Sequence, residues 1–226
     1  MRIYDNFLDM LSEVKRDVAE LGIRGTSESF QNQEGVGREY DMKEILGYSY
    51  ELTDTTVILG SFSIEEANWL GEEFGERITN TPINPGNAWK LRKEVWEPFL
   101  NDKNKFDYTY NERIRPQLSI VIDELRRNPH TRQAIITIYR NQDLNFLGGK
   151  RRIPCSLSYQ FLLRGNYLNM VYNMRSCDVS THFKFDVALA CMLINHVAIR
   201  LQIDPGSLIH NIGSLHIFRK DAKNIF

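Results

Sequence analysis

Phe7, Leu11, Val14, Val18 and Leu21 recur at helical spacing, and this stripe predicts a helix from Ile3 to Leu21 that stops at Gly22. The next stretch, IRGTSESFQNQEGVGRE, has no sustained period and reads as loop or short strand. Met42 to Tyr50 reads as a second, short helix. Ser63, with Glu66 three residues on, is a capping-box start for a third over IEEANWLGEEF. Residues 78–90 (ITNTPINPGNAWK) are rich in proline, glycine and asparagine and read as a loop. Leu118, Val121, Ile122 and Leu125 predict a helix from Gln117 to Arg127, ended at Asn128-Pro129.

From there the period shortens. QAIITIY is β-branched and aromatic, a strand. SLSYQFLL and YLNMVYNM flank Arg164-Gly165-Asn166, which predicts an antiparallel hairpin. Asp186 to Gln202 is apolar on most sides, as a buried helix is, and LIHNIGSLHIF is a last strand. Early helices and late strands predict an α+β fold with a mixed, mostly antiparallel sheet covered by helices. No linker divides the chain, so residues 1–226 are expected to form a single domain.

Composition narrows the function classes. The 226 residues carry a formal net charge of −1, so no overall basic field recruits nucleic acid or anionic lipid, and any anion site must be local. No apolar stretch is long enough to span a bilayer, and the N-terminus lacks the apolar core of a signal peptide. The cysteines at 155, 177 and 191 are odd in number and widely spaced, unlike a disulfide framework. Neither CxxC nor HExxH occurs, so no metal is expected. A cytoplasmic, reduced protein without membrane attachment is the expectation.

Several residues carry candidate chemistry. Cys155 follows Lys150, Arg151 and Arg152; it is either a thiolate nucleophile beside cations or a small buried hydrophobe at a strand start. Cys177 and Cys191 read as packing. The stretch NMRSCDVSTHFKFD sets Arg175, Asp178, Lys184 and Asp186 among apolar residues. Arg175 and Ser176 are a natural pair for a phosphate. Arg24, Arg132 and the Arg151–Arg152 pair lie in turn-like settings; each is either a solvated surface residue or part of a site for a small phosphorylated ligand. Glu44, Asp178 and Asp186 stand beside apolar residues, where a buried acid needs a partner. Glu44 reads equally as a helix-surface charge, and His216 as a core histidine.

In combination, RRIPCSLSYQFLL, then NMRSCDVSTHFKFDVALA, then NIGSLHIF, resemble the thymidylate synthase superfamily in order and spacing. KEILGYSYEL, YTYNERIR and NPHTRQAIITIY align with it more loosely. The resemblance implies that Cys155 is the nucleophile adding to C6 of a pyrimidine, with Arg24, Arg175 and Ser176 as phosphate ligands. It implies a homodimer built on a sheet face, with Arg132 lent across the interface to the partner's phosphate. It makes Glu44 the organiser of water and proton transfer, Tyr110 the active-site tyrosine and His216 a sugar ligand. Asp178 and Trp96 would contact the folate co-substrate, 5,10-methylenetetrahydrofolate.

The chain also departs from the synthase pattern. Asp186 stands where synthases have Asn. A primary amide matches the O4 and N3–H of uracil, whereas a carboxylate accepts from the N4 amino group of cytosine. Asp186 therefore implies a cytosine nucleotide monophosphate, dCMP or CMP, and the chain resembles the deoxycytidylate and cytidylate 5-hydroxymethylases. In these, water adds to an exocyclic methylene where a synthase delivers hydride. Gln133 replaces a second phosphate arginine, Phe218 a sugar-binding tyrosine, Ser156 a histidine, and STH the Leu-Gly of the folate-facing turn. The C-terminal tail that closes over folate in most relatives is expected to be missing or replaced. A short synthase methylating dUMP, or an inactive nucleotide- or RNA-binding relative, are the other readings.

Overall fold

The computed structural model describes residues 1–25, 29–30, 33–34, 40–147 and 151–222. Lys150 and parts of IRGTSESFQNQEGVGRE lie outside the described residues. The chain opens with strand β1 (Arg2–Tyr4), then helix α1 (Phe7–Leu21), whose Asn6 side chain caps the Asp9 N–H. The predicted first helix thus begins four residues late, because Asn6 is a better cap than a helix interior residue. Strands β2 (Ile23–Gly25), β3 (Ser29–Phe30) and β4 (Gln33–Glu34) follow, and then β5 (Met42–Leu52).

Strand β5 corrects the helix expected over Met42–Tyr50. Tyr48, Tyr50 and Leu52 are buried at every second position, which is strand spacing. Helices α2 (Ile64–Ile78), α3 (Lys93–Trp96) and α4 (Tyr110–Arg127) come next. The Ser63–Glu66 capping box is present, and a second one, Thr109–Glu112, starts α4 a full two turns before the predicted Gln117. Strand β6 (Ile135–Thr137) precedes the predicted hairpin, β7 (Ser156–Arg164) and β8 (Tyr167–Asp178). Helix α5 (Phe183–Leu201) then leads to β9 (Asp204–Phe218).

The main sheet runs β1-β5-β9-β8-β7-β6, with β2 also on β5. Strands β8 and β9 are parallel because α5 carries the chain back between them, and β1 lies parallel to β5; the other pairs are antiparallel. This is the α+β architecture with a mixed sheet. Alternate residues of the central strands, such as Phe161, Leu168, Met170, Leu208 and Ile212, pack with Val187, Ala190 and Ile194 of α5 in one core.

Helix α4 is tied down by a buried ion pair, Arg113 Nη2 to Asp143 Oδ1 at 2.7 Å, while Asp143 Oδ2 accepts the Arg140 N–H at 2.7 Å. Removing one partner of such a pair strands the other charge. Asp143→Ala is expected to lower unfolding stability by about 3–5 kcal/mol, read as a lower urea midpoint with the m-value unchanged.

Candidate active site

The site begins with a bend shared by three neighbouring strands. Along β8 the inward residues run Leu168, Met170, Tyr172 and Met174, then the alternation breaks and Cys177 and Asp178 turn inward. Along β9 they run Leu208, His210 and Ile212, then switch to Leu215 and Ile217. The break falls at Gly213 and, opposite it on β5, at Gly47 with φ +66°. A Cβ on Gly213 would lie 2.8 Å from the Arg175 carbonyl oxygen, so the strands approach this closely only because there is none. Beyond the bend, register pairs Ser176 with Ser214 and Asp178 with His216, and places Glu44 beside His216 on the other side.

A cavity of about 300 Å³ lies over these strand ends. Its floor includes Cys155, Ser176, Cys177, Asp178 and His216. Helix α5 supplies Phe185 and Asp186, and the turn before it His182. Helix α2 contributes Trp69 and Arg77, α4 contributes Tyr110, and Trp96, Phe99 and Arg152 form a wall. The Arg152 guanidinium lies 4.4 Å from the Trp96 ring centroid and 5.0 Å from that of Tyr108.

Two donors face the Cys155 sulfur, Arg175 Nη2 at 3.6 Å and Ser176 Oγ at 3.7 Å. A cation and a hydroxyl aimed at sulfur are what a thiolate nucleophile needs. Arg175 is itself held by the carbonyls of Pro154 (2.9 Å) and Ile153 (3.2 Å) and by Ser176 Oγ (3.1 Å). The guanidinium thus lies behind the cysteine and is not a cavity-lining residue.

Asp186 is the most perturbed acid of the site. Burial pushes its carboxyl up to about 6, against the pull of Arg77, the Cys177 thiol, Arg152 and Arg92. The Cys177 thiol donates to Asp186 Oδ2 at 3.6 Å, so this cysteine does more than the packing expected of it. Burial likewise lowers His182 to about 4, despite Asp178 nearby, and lowers His216. Burial thus favours the neutral form of both imidazoles. Asp178 accepts the Ser180 N–H at 2.9 Å.

The predicted site residues separate into two groups. Cys155, Ser176, Asp178, Asp186, Tyr110, His216 and Trp96 share the one cavity. Glu44 does not line it; it accepts from Ser214 Oγ, which lies 3.4 Å from His216 Nδ1. Arg24 on β2, and Arg132 and Gln133 before β6, are exposed and do not line the cavity. Arg77 and Arg92 were missed. Arg77 continues the buried stripe of α2 at four-residue steps from Trp69 through Glu73, which was the available signal.

A family model described as thymidylate synthase matches residues 52–225. The chain belongs to the thymidylate synthase family. Arg24 and Glu44 fall before the matched segment. Among curated relatives, the deoxycytidylate 5-hydroxymethyltransferase of Enterobacteria phage T4 is 27% identical over 192 residues, covering 78% of this chain and 76% of the relative. The thymidylate synthase of Mycoplasma genitalium is 28% identical over 212 residues, covering 82% and 73%. That of Enterobacteria phage T4 is 31% identical over 102 residues, covering 45% and 35%. As a member of the family, the protein is a one-carbon transferase acting on a pyrimidine nucleotide, and the family in general draws the carbon from methylenetetrahydrofolate. No helix among the described residues is long and apolar enough to cross a membrane.

Proposed function

We propose that the protein hydroxymethylates C5 of a cytosine nucleotide monophosphate, dCMP or CMP. The observation that carries this reading is Asp186, a buried carboxyl at the cavity wall with one oxygen engaged by Cys177 and the carboxylate surrounded by arginines. Ionised, it accepts from the cytosine N4 amino group and repels O4 of uracil. The Cys155 sulfur adds to C6, and the electron pair moves to make C5 a carbon nucleophile. C5 bonds to the one-carbon unit, its proton is lost, and the tetrahydrofolate amine leaves to give an exocyclic methylene. Water adds to that methylene, releasing a proton, and the sulfur is expelled from C6 as C5=C6 re-forms.

Tyr110 faces the base, and Ser176, whose hydroxyl accepts from Arg175 Nη1, meets the phosphate. His216, backed by Ser214 and Glu44, takes the sugar side. Trp96, Asp178 and the Arg152 wall receive the folate. The exposed positions of Arg132 and Gln133 suit a homodimer in which they serve the partner's phosphate. Incubation with methylenetetrahydrofolate and dCMP, CMP or dUMP tests the proposal; turnover of dUMP alone, to dTMP, would sink it. The second reading, a synthase acting on dUMP, is favoured by the Mycoplasma genitalium relative, which covers slightly more of the chain.

The state of Asp186 gives a pH signature. Protonated, the carboxyl can donate and accept, and so matches the edge of either base; ionised, it accepts from the cytosine N4 amino group and meets O4 of uracil acceptor to acceptor. With its proton leaving near pH 6, the kcat/KM ratio of dCMP to dUMP is expected to rise from pH 5 to pH 8. A ratio flat over that range would remove Asp186 from base recognition.

A further inference from the structure

Behind the cavity, the Tyr110, Ser156 and Tyr172 hydroxyls meet in a row, with the Tyr159 hydroxyl beside Ser156 and Tyr172. Tyr110 Oη lies 2.9 Å from Ser156 Oγ, which lies 2.7 Å from Tyr172 Oη. Ser156 directly follows Cys155 and is fully buried. Both ends of the line are clamped. The Tyr172 ring is stacked on Tyr159 on one side (4.5 Å, 21°) and His210 on the other (4.5 Å, 7°). The Tyr110 ring carries the Arg77 guanidinium 3.9 Å from its centroid, and Arg77 is held by Glu73 at 2.7 Å. Only Tyr110 opens onto the cavity.

Each of these hydroxyls owns a single proton, because burial pushes the Tyr110 and Tyr172 phenols well above their ordinary range and keeps them neutral. Because each hydroxyl gives only one proton, the direction of one bond biases those of its neighbours, and a proton that Tyr172 gives to Ser156 leaves the Ser156 proton for Tyr110. We propose that Ser156 is a positioning residue: its hydroxyl accepts from Tyr172 and donates to Tyr110, leaving the Tyr110 proton aimed at the pyrimidine. Tyr110 is then a hydrogen-bond donor to the substrate whenever the line is intact. This rests on the placement of Tyr110 against the base in the proposed function, and it adds a part for a residue that the nucleotide never touches.

The test is a double-mutant cycle with Tyr110→Phe and Ser156→Ala, assayed with dCMP and dUMP plus methylenetetrahydrofolate on whichever nucleotide the wild type turns over. Ser156→Ala is expected to lower kcat about tenfold with the nucleotide KM changed less than about twofold. In the Tyr110→Phe background it should cost nothing further, and Ser156→Thr should recover most of the loss. Independent, multiplying losses, or a rise in KM alone, would overturn the proposal while leaving Tyr110 in place. Full activity in Tyr110→Phe would overturn the placement of Tyr110 itself, and this inference with it. Should Ser156→Ala fail to fold, Tyr172→Phe cuts the line at its far end. It should lower kcat several-fold, again only when Tyr110 is present, and unaltered kcat in that variant overturns the proposal.

Discussion

Asp186→Asn is expected to lower the dCMP-to-dUMP ratio of kcat/KM by on the order of 10⁴-fold. With its N–H toward O4 and its oxygen toward N3–H the amide matches uracil, and held in that orientation its amino group meets the cytosine N4 donors head on. Sites built around a directed hydrogen bond reject a mismatched partner strongly because the buried polar groups are left unpaired. The same variant reports on stability. Raising a carboxyl from its ordinary 3.8 to about 6 costs the ionised fold about 3 kcal/mol, at about 1.4 kcal/mol per pKa unit. A folded-state pKa above the unfolded one means the cost is absent below pH 3.8 and complete above pH 6. Asn carries no charge, so the variant should melt higher than wild type at pH 8 and gain nothing from this source at pH 3.5. A nucleotide ratio that stays put would remove Asp186 as the base reader, whatever the melting shows.

Cys155→Ala is expected to abolish turnover, by at least about 10⁴-fold in kcat, since no other group can make the bond to C6. Release of tritium from a 5-³H nucleotide should vanish with it, because C5 becomes acidic only after that addition. Nucleotide binding should survive, as Ser176, Asp186 and His216 line the cavity independently of the sulfur. Tritium release persisting in the variant would assign the nucleophile elsewhere. Cys177 is a poor substitute, since burial and the adjacent Asp186 hold its thiol protonated, well above the ordinary range.

Strong local signals were legible in the sequence. The hairpin around Gly165 and the capping box at Ser63 appear as predicted, because turn chemistry and caps act over a few residues. Strand β5 was misread because KEIL imitates a helical stripe, whereas Tyr48, Tyr50 and Leu52 are inward through pairing with β9 far along the chain. Helix α4 starts earlier than its apolar stripe predicts: the Thr109 box upstream outweighs the penalty of Pro116 within it. In the site, the motif residues of β7, β8 and α5 could be read from order and spacing. Arg77 and the Cys177–Asp186 contact could not, since they depend on how α2 and α5 lie over the strand ends. The exposure of Arg132 and Gln133 is equally invisible in a linear pattern.

The shared bend at Gly47 and Gly213 has a consequence for how such an enzyme changes over generations. The residues that aim the sulfur, Arg175 and Ser176, lie at the bend, where even a methyl group on Gly213 would press on Arg175. A side chain at Gly213 would push the two strands apart there. Asp186 lies on α5, which packs over these strand ends, and meets the floor through the Cys177 thiol. On the proposed function, the parts that break and make bonds and the part that chooses the base are thus carried on separate pieces of the fold. On that reading, a single substitution on α5 exchanges one nucleobase for another while the strands of the bend keep their places.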